Sequence, residues 1–294
     1  MSAAARRAHR YLFAVSFHRY SRAMTALLLA PLLLLLVVAF VYPIARFLSL
    51  SVLDPEPTLA HFRDLLDRPI YFTILIRTFR TGLIVAVGTL LLGYPVAYLL
   101  ASLRGIRAAI VAGIVILPLW ISVLVRTYVW AVMLGRNGII NRAAVGLGLI
   151  DEPMKLLNTE FAVWLAMIHI LLPMMILPIY SSLRAIPVEL DRAAQSLGAS
   201  AAATFRHVTF PLSLPGVAAG AVLVFIISLG YFITPMLLGG PRSMLIATMI
   251  TQQATKFLDW PLASALAAIL MAATLLIVVV FNRVLRLDRV MGSG

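Results

Sequence analysis

The sequence predicts an all-α, polytopic membrane protein with six transmembrane helices. Three observations carry that prediction. The 294-residue chain is 62% hydrophobic and only 12% charged, with a mean hydropathy of +1.02, far from the balance of a water-soluble domain. A helical span needs about 20 apolar residues at about 1.5 Å each to cross about 30 Å of hydrocarbon. Six stretches meet that length, and the residues between them are too few for a soluble domain.

The first expected span is Ala26–Ala45. It follows a basic lead of Arg6, Arg7, Arg10, Arg19 and Arg22. Its apolar run exceeds the roughly 7–15 residues of a signal-peptide core, and no small-x-small site closes it, so an uncleaved span is expected. The others are Thr81–Ser102, Ala108–Val125 (extending past Arg126 to Gly135), Phe161–Leu183, Pro215–Gly240 and Pro261–Asn282. The resulting layout is a basic tail over 1–25, a six-span domain over 26–282 and a second tail over 283–294. Leu59–Leu75 reads as a partly amphipathic surface helix, and Arg136–Glu160 as a Gly-rich segment ending near the acid pair Asp151-Glu152.

Charge orients the chain. With both termini cytoplasmic, 13 of the 24 Lys and Arg fall inside and 11 outside. The sharper signal abuts the spans: Arg104 and Arg107 in a five-residue turn, and Arg283, Arg286 and Arg289 after the last span. The net charge of +13 is then a topology signature and gives no reason to expect nucleic acid as a partner.

Several chemistries are excluded. The chain has no Cys, which removes thiol catalysis and cysteine-ligated metals. Its five His residues show no ligand spacing, so no metal site is expected. No Gly-rich phosphate loop ending in Lys-Ser/Thr occurs, so no nucleotide cofactor is expected in this chain and no catalytic residue is assigned.

The most informative stretch is Pro187–Pro215, PVELDRAAQSLGASAAATFRHVTFPLSLP, a polar hairpin between two spans. Leu190, Ala193, Ala194, Leu197 and Ala201 recur at helical spacing, Pro187 suits a first turn, and Gly198 marks a bend with room for a positive φ. A small-residue amphipathic helix on a membrane protein's surface suits docking against another protein. Within the spans, Pro95, Pro118, Pro173, Pro178 and Pro235 mark places where helices can open, although Pro is also common in membrane helices generally. Arg126 reads as an interface anchor near the outer end of its span. His169, some nine residues into its span, reads as a residue facing protein or a water-filled cavity.

The hairpin also resembles the cytoplasmic loop of ATP-binding-cassette importer permeases, which reads Glu-Ala-Ala, three residues, Gly, nine residues, Ile-x-Leu-Pro. Here Arg192-Ala193-Ala194 is followed after three residues by Gly198 and after nine more by Val208-Thr209-Phe210-Pro211. Arg192 stands where the pattern has Glu, with Asp191 beside it. VRTYVWAVMLGRNGIINR (Val125–Arg142), GLIDEPMKLL (Gly148–Leu157), SLGYFITPMLLGG (Ser228–Gly240) and Asp259-Trp260-Pro261 are similar to the spermidine/putrescine-type permeases, in particular their B-type subunit.

That resemblance implies a type I importer permease fold in a bacterial inner membrane. It implies a coupling loop over 184–214, with Glu189, Asp191, Arg192, Ala193, Ala194, Gly198, Val208, Phe210 and Pro211 meeting the ATPase. The implied partners are a second, homologous permease, two cytoplasmic ATPase subunits that bind the ATP, an extracytoplasmic binding protein, and membrane lipid. A polyamine is the expected cargo, with other small charged solutes in reserve, because no Asp or Glu lies inside an expected span. Tyr231, Phe232 and His169 are the expected residues of the substrate path. An ion-gradient-driven transporter is the competing reading; it requires ionisable groups in the spans, and only His169 offers itself for coupling.

Overall fold

The computed structural model describes residues 22–53 and 56–285. Of the expected tails 1–25 and 283–294, residues 1–21 and 286–294, with Arg286 and Arg289, lie outside the described residues. Among those described, all regular structure is helical. The chain divides into one unit ending at Ser49 and a second beginning at Leu50.

The first span is one helical rod, Met24–Leu53, longer than expected. It comprises α1 (Arg22–Leu36), a wide π-type turn over Val37–Val41, and α2 (Tyr42–Leu53). Pro31 lies inside α1 without ending it.

The second unit opens with α3 (Ala60–Asp67) and α4 (Pro69–Ser102). The expected surface helix Leu59–Leu75 is therefore two elements. Pro69 holds Arg68 in extended backbone (φ −107°, ψ 104°) and then starts a new helix at its own first turn. α4 consequently begins twelve residues before the expected Thr81. At 34 residues it is about 50 Å long, more than a bilayer requires. Pro95 leaves it continuous.

The third span is broken. α5 (Gly105–Ile116) runs into a 3₁₀ turn at Leu117–Trp120, and the chain bends by 98° before α6 (Val123–Leu134) and α7 (Ile139–Gly146). Pro118 sits in the 3₁₀ turn, and Ile121 is extended (ψ 133°), so the helical hydrogen-bond ladder stops there. The fourth span, α8 (Glu160–Ala185), is nearly as expected, and Thr159 caps it by accepting the Ala162 N–H at 3.2 Å.

The fifth span departs most from expectation. α9 (Val188–Ser196) and α10 (Ala201–Thr204) precede a π-type turn, Phe205–Thr209, that runs directly into α11 (Phe210–Leu229). The span helix is Ala201–Leu229, so the second half of the expected hairpin belongs to the span. In the wide turn the Phe210 N–H reaches back five residues to Phe205 O, a widening that precedes Pro211, which has no N–H to give. At the other end the helix stops at Gly230, ten residues before the expected Gly240, and resumes as the short α12 (Ile233–Leu238). A 3₁₀ turn (Pro241–Ser243), α13 (Ile246–Gln252) and a π-type turn (Gln253–Phe257) lead to the last span, α14 (Trp260–Leu285). Asp259 caps α14 by accepting the Leu262 N–H at 3.0 Å, which accounts for the Asp-Trp-Pro string.

α4, α8 and α11 form the core. Small residues set their approach. A Cβ at Gly216 of α11 would lie 2.6 Å from Pro178 O and 2.5 Å from Ser182 Cβ of α8, and one at Gly220 would lie 2.8 Å from Met175 Sδ. Met167, Met175, Ile176, Ile179, Val85 and Val224 are fully enclosed between these helices. Several buried hydroxyls bond back to their own helices, as Thr89 does to Val85 O (2.8 Å) and Ser228 to Val224 O (2.7 Å), which satisfies those donors inside the apolar core. A second cluster of Leu65, Tyr71, Ile74, Ile246 and Leu266 joins α3, α13 and α14 to the start of α4.

Candidate functional site

Pro187 caps α9, and Glu189 and Asp191 occupy its first turn, where the helix dipole favours negative charge. At the far end the Gly198 N–H bonds to Gln195 O (2.9 Å) and the Ala199 N–H to Ala194 O (3.0 Å), with Gly198 at φ +86°. This is a complete Schellman cap, which needs a residue tolerant of left-handed backbone. Ser200 then caps α10 by accepting the Ala203 N–H at 3.3 Å. The result is a rigid helix–turn–helix.

The candidate coupling residues fall into two groups. Glu189, Arg192, Ala193 and Gly198 are exposed, beside the exposed apolar side chains of Val188, Leu190 and Leu197. Asp191 turns inward, its Oδ1 accepting from the Thr209 hydroxyl at 3.3 Å. Val208, Phe210 and Pro211 lie in the wide turn and the first turn of α11. There Phe205 stacks edge-on against Tyr94 (6.0 Å) and Tyr98 (5.4 Å) of α4, and the Tyr94 hydroxyl bonds to Ser213 Oγ at 2.9 Å. A cavity of about 380 Å³, lined by Tyr98, Ser102, Arg104, Arg184, Asp191 and Thr209, separates α9 from the ends of α4 and α8. Thr209, Tyr94 and Ser213 were not legible as site residues. The only hint was a hydroxyl at the variable position of the Val208–Pro211 string.

Of the candidate path residues, Tyr231 and Phe232 lie where the two interrupted spans come together, and His169 lies on α8 beside Trp130 of α6. α6 packs along α12, and the buried Thr127 and Thr234 hydroxyls bond across them at 2.9 Å. Val123, Gly230, Tyr231, Phe232 and Ile233 line a cavity of about 160 Å³ at the breaks. The Trp130 indole N–H donates to His169 Nδ1 at 3.2 Å, yet His169 remains exposed on the side of α8.

Arg126, expected as an end-of-span anchor, is tied to the neighbouring helix α8. It donates from Nη1 to Ile170 O at 3.3 Å, ten residues into α8 or about 15 Å below that helix's start. The break before Val123 folds α6 back against α8 and carries the guanidinium inward. Arg126 Nε and the Tyr231 hydroxyl are buried with no hydrogen-bond partner among the described residues.

At the end of the bundle opposite α9, Glu160 pairs with Arg77 Nε (3.3 Å) and with Arg80. Arg77 also donates to Met244 O at 3.4 Å, and Thr78 Oγ1 accepts the Ile246 N–H at 2.9 Å. A cavity of about 770 Å³ beside this network is lined by Lys155, Asn158, Arg242, Thr248 and Gln252 among others.

Five helices long and apolar enough to cross a membrane, with one bent pair that makes up to six, define a multi-pass membrane protein. Residues 90–288 match the family described as binding-protein-dependent transport system inner membrane component. The chain is 36% identical over 230 residues (78% of this chain, 83% of the relative) to the spermidine/putrescine transport system permease protein PotB of Escherichia coli K12. It is 33% identical over 225 residues (72% and 71%) to the inner membrane ABC transporter permease protein YdcU of the same organism. Its fold matches a crystal structure of a bacterial ABC transporter involved in import of the acidic polysaccharide alginate, with a TM-score of 0.70, 22% identity, and 90% and 95% coverage. The chain belongs to the binding-protein-dependent transport system inner membrane component family and is an ABC importer permease subunit of the bacterial inner membrane.

Proposed function

We propose that this permease carries a small charged solute, polyamines first, and is driven by separate ATPase subunits that seat on the Val188–Thr204 helix–turn–helix. The observation that carries the coupling half is the exposed α9, with Leu190 and Leu197 presented on one outward face and no buried residue of its own. An apolar helix face held rigidly outside the bundle is suited to a partner's groove. ATP is then bound by those partners, and a second permease and an extracytoplasmic binding protein complete the assembly. Both termini and α9 lie on the cytoplasmic side in this reading. The polyamine assignment draws on the similarity to PotB.

One observation favours a second cargo, a solute bearing a carboxylate. Arg126 sits at bilayer depth without an acidic partner, since both ion pairs among the described residues are made by Glu160. The test is reconstitution in vesicles. The chain alone hydrolyses no ATP, and hydrolysis appears with the ATPase and rises with loaded binding protein. Radiolabelled spermidine enters, and excess unlabelled putrescine suppresses its entry. Hydrolysis by the isolated chain would overturn the assignment. Suppression by dicarboxylates in place of putrescine would transfer the cargo to the second reading.

A further inference from the structure

α9 is a nine-residue helix with no buried side chain, packed chiefly on α10 and on the wide turn Phe205–Thr209. Toward the ends of α4 and α8 it faces the 380 Å³ cavity. α9 meets the bundle by two routes, the link Ile186–Pro187 to the end of α8 and the wide turn that leads into α11, and of the two the wide turn is the compliant place. Its bonds span five residues where the helices on either side use four, and such turns cluster at functional sites.

One polar bond bridges this compliant turn. The Thr209 hydroxyl, on a residue only 8% exposed and last in the turn, donates to the carboxylate of Asp191 in α9. Beyond it, α11 is held to α4 by the Tyr94–Ser213 hydrogen bond and by Phe210 against Tyr94, while Phe205, first in the turn, packs on Tyr94 as well. α11 then runs 20 residues to the break at Gly230, where Tyr231 and Phe232 line the small cavity beside α6.

We propose that the Asp191–Thr209 hydrogen bond is the joint through which α9 moves α11, making both positioning residues of the transport cycle. The proposal rests on the ATPase-seating reading of α9. With the bond in place, α9, the wide turn and α11 move as one body, and displacement of α9 reaches the interrupted spans. Without it the loop pivots at the wide turn while α11 stays behind. Asp191 has somewhere to go in that case, because Arg104 and Arg184 line the cavity on its other side.

The chain contains no cysteine, so a labelled pair can be placed without background. Spin labels at Gln195→Cys on α9 and Leu223→Cys on α11, in the chain assembled with its second permease and ATPase, report the distance between the two elements. In the parent chain that distance is the same with and without ATP. In Thr209→Val, which keeps the shape and removes the donor, it differs between the two states. Spermidine uptake then falls about tenfold, the size expected for loss of a hydrogen bond to a charged group. The amount of copurifying ATPase is unchanged, and Thr209→Ser restores both distance and uptake. Thr209→Val with parental distances and parental uptake overturns the joint alone. An ATPase that fails to copurify with the parent chain overturns the seating reading and the joint with it.

Discussion

Gly198 terminates α9 at φ +86°, and a Cβ built there meets nothing within 4 Å. Within this chain, then, substitution costs backbone strain and no crowding. Gly198→Asn is expected to be nearly neutral, and Gly198→Ala to lower the thermal midpoint in detergent by an amount worth about 1–2 kcal/mol. Gly198→Arg should melt like the Ala variant yet lose ATPase copurification, because only a partner can supply the missing contact. Equal copurification by the Ala and Arg variants would show that no partner surface closes over this turn.

Arg192 poses the complementary question one helical face away. It is exposed and makes no ion pair among the described residues, while its neighbour Asp191 is occupied by Thr209. Asp191 cannot stand in for the Glu of the family pattern, so Arg192 and Glu189 are the charges this helix presents outward. If the ATPase groove carries a matching carboxylate, Arg192→Glu weakens assembly by roughly 2 kcal/mol, about 30-fold in affinity. An acid-to-Lys change in the groove recovers part of it. Parental affinity for Arg192→Glu would make this residue a solvated face only.

At the scale of elements, Glu160 binds the first residues of α8 to α4, and Arg77 and Thr78 extend that contact to the segment before α13. The two arginines are unequal partners: the Arg77 side chain is 17% exposed and that of Arg80 52%. Surface pairs contribute about 0–1 kcal/mol, whereas loss of one partner from a part-buried network leaves a charge unmatched. Arg77→Gln and Glu160→Gln should therefore lower the thermal midpoint in detergent by several degrees and Arg80→Gln by little. Equal effects from the two arginines would contradict this division.

Long uninterrupted apolar runs were the readable elements, and α8 and α14 lie within a few residues of their expected bounds. The break in the third span was not readable, because Leu117–Ile121 is apolar apart from Pro118 and hydropathy is blind to a 98° bend. The start of the fifth span was misplaced for the opposite reason. Pro211 and Pro215 read as loop punctuation, whereas the wide turn before them lets the helix run through. The coupling-loop candidates could be proposed as a group because Gly, Pro and small residues carry their spacing in one segment. His169 and Tyr231 could be singled out but not grouped, because Arg126, Trp130, His169 and Tyr231 come from three segments joined only by the fold.

For the molecule as a whole, the decisive asymmetry is which part of its surface hydrocarbon can accept. Leu91 of α4 and Leu276 of α14 are among the many apolar side chains exposed around the bundle, as lipid contact requires. His169 is exposed as well, although it lies well inside α8, and Arg126 is only part-buried at the same level. Lipid tails offer neither hydrogen bonds nor charge compensation, so a face carrying both groups must be covered by protein or water in the membrane. We expect that face to be the one turned toward the translocation path, with Phe232, 37% exposed just after the end of α11, beside it. Because the chain has no cysteine, single replacements report this directly. His169→Cys and Phe232→Cys in the assembled complex should react with a charged, membrane-impermeant thiol reagent at least about tenfold faster than Leu91→Cys or Leu276→Cys, since a thiol ionises in water and not in hydrocarbon. Their rates should also differ between nucleotide-free and ATP-bound complexes, as the path opens to one side and then the other. Rates at His169→Cys and Phe232→Cys as low as at Leu276→Cys in both states would place the path elsewhere, and would leave Arg126 as a structural clamp between α6 and α8.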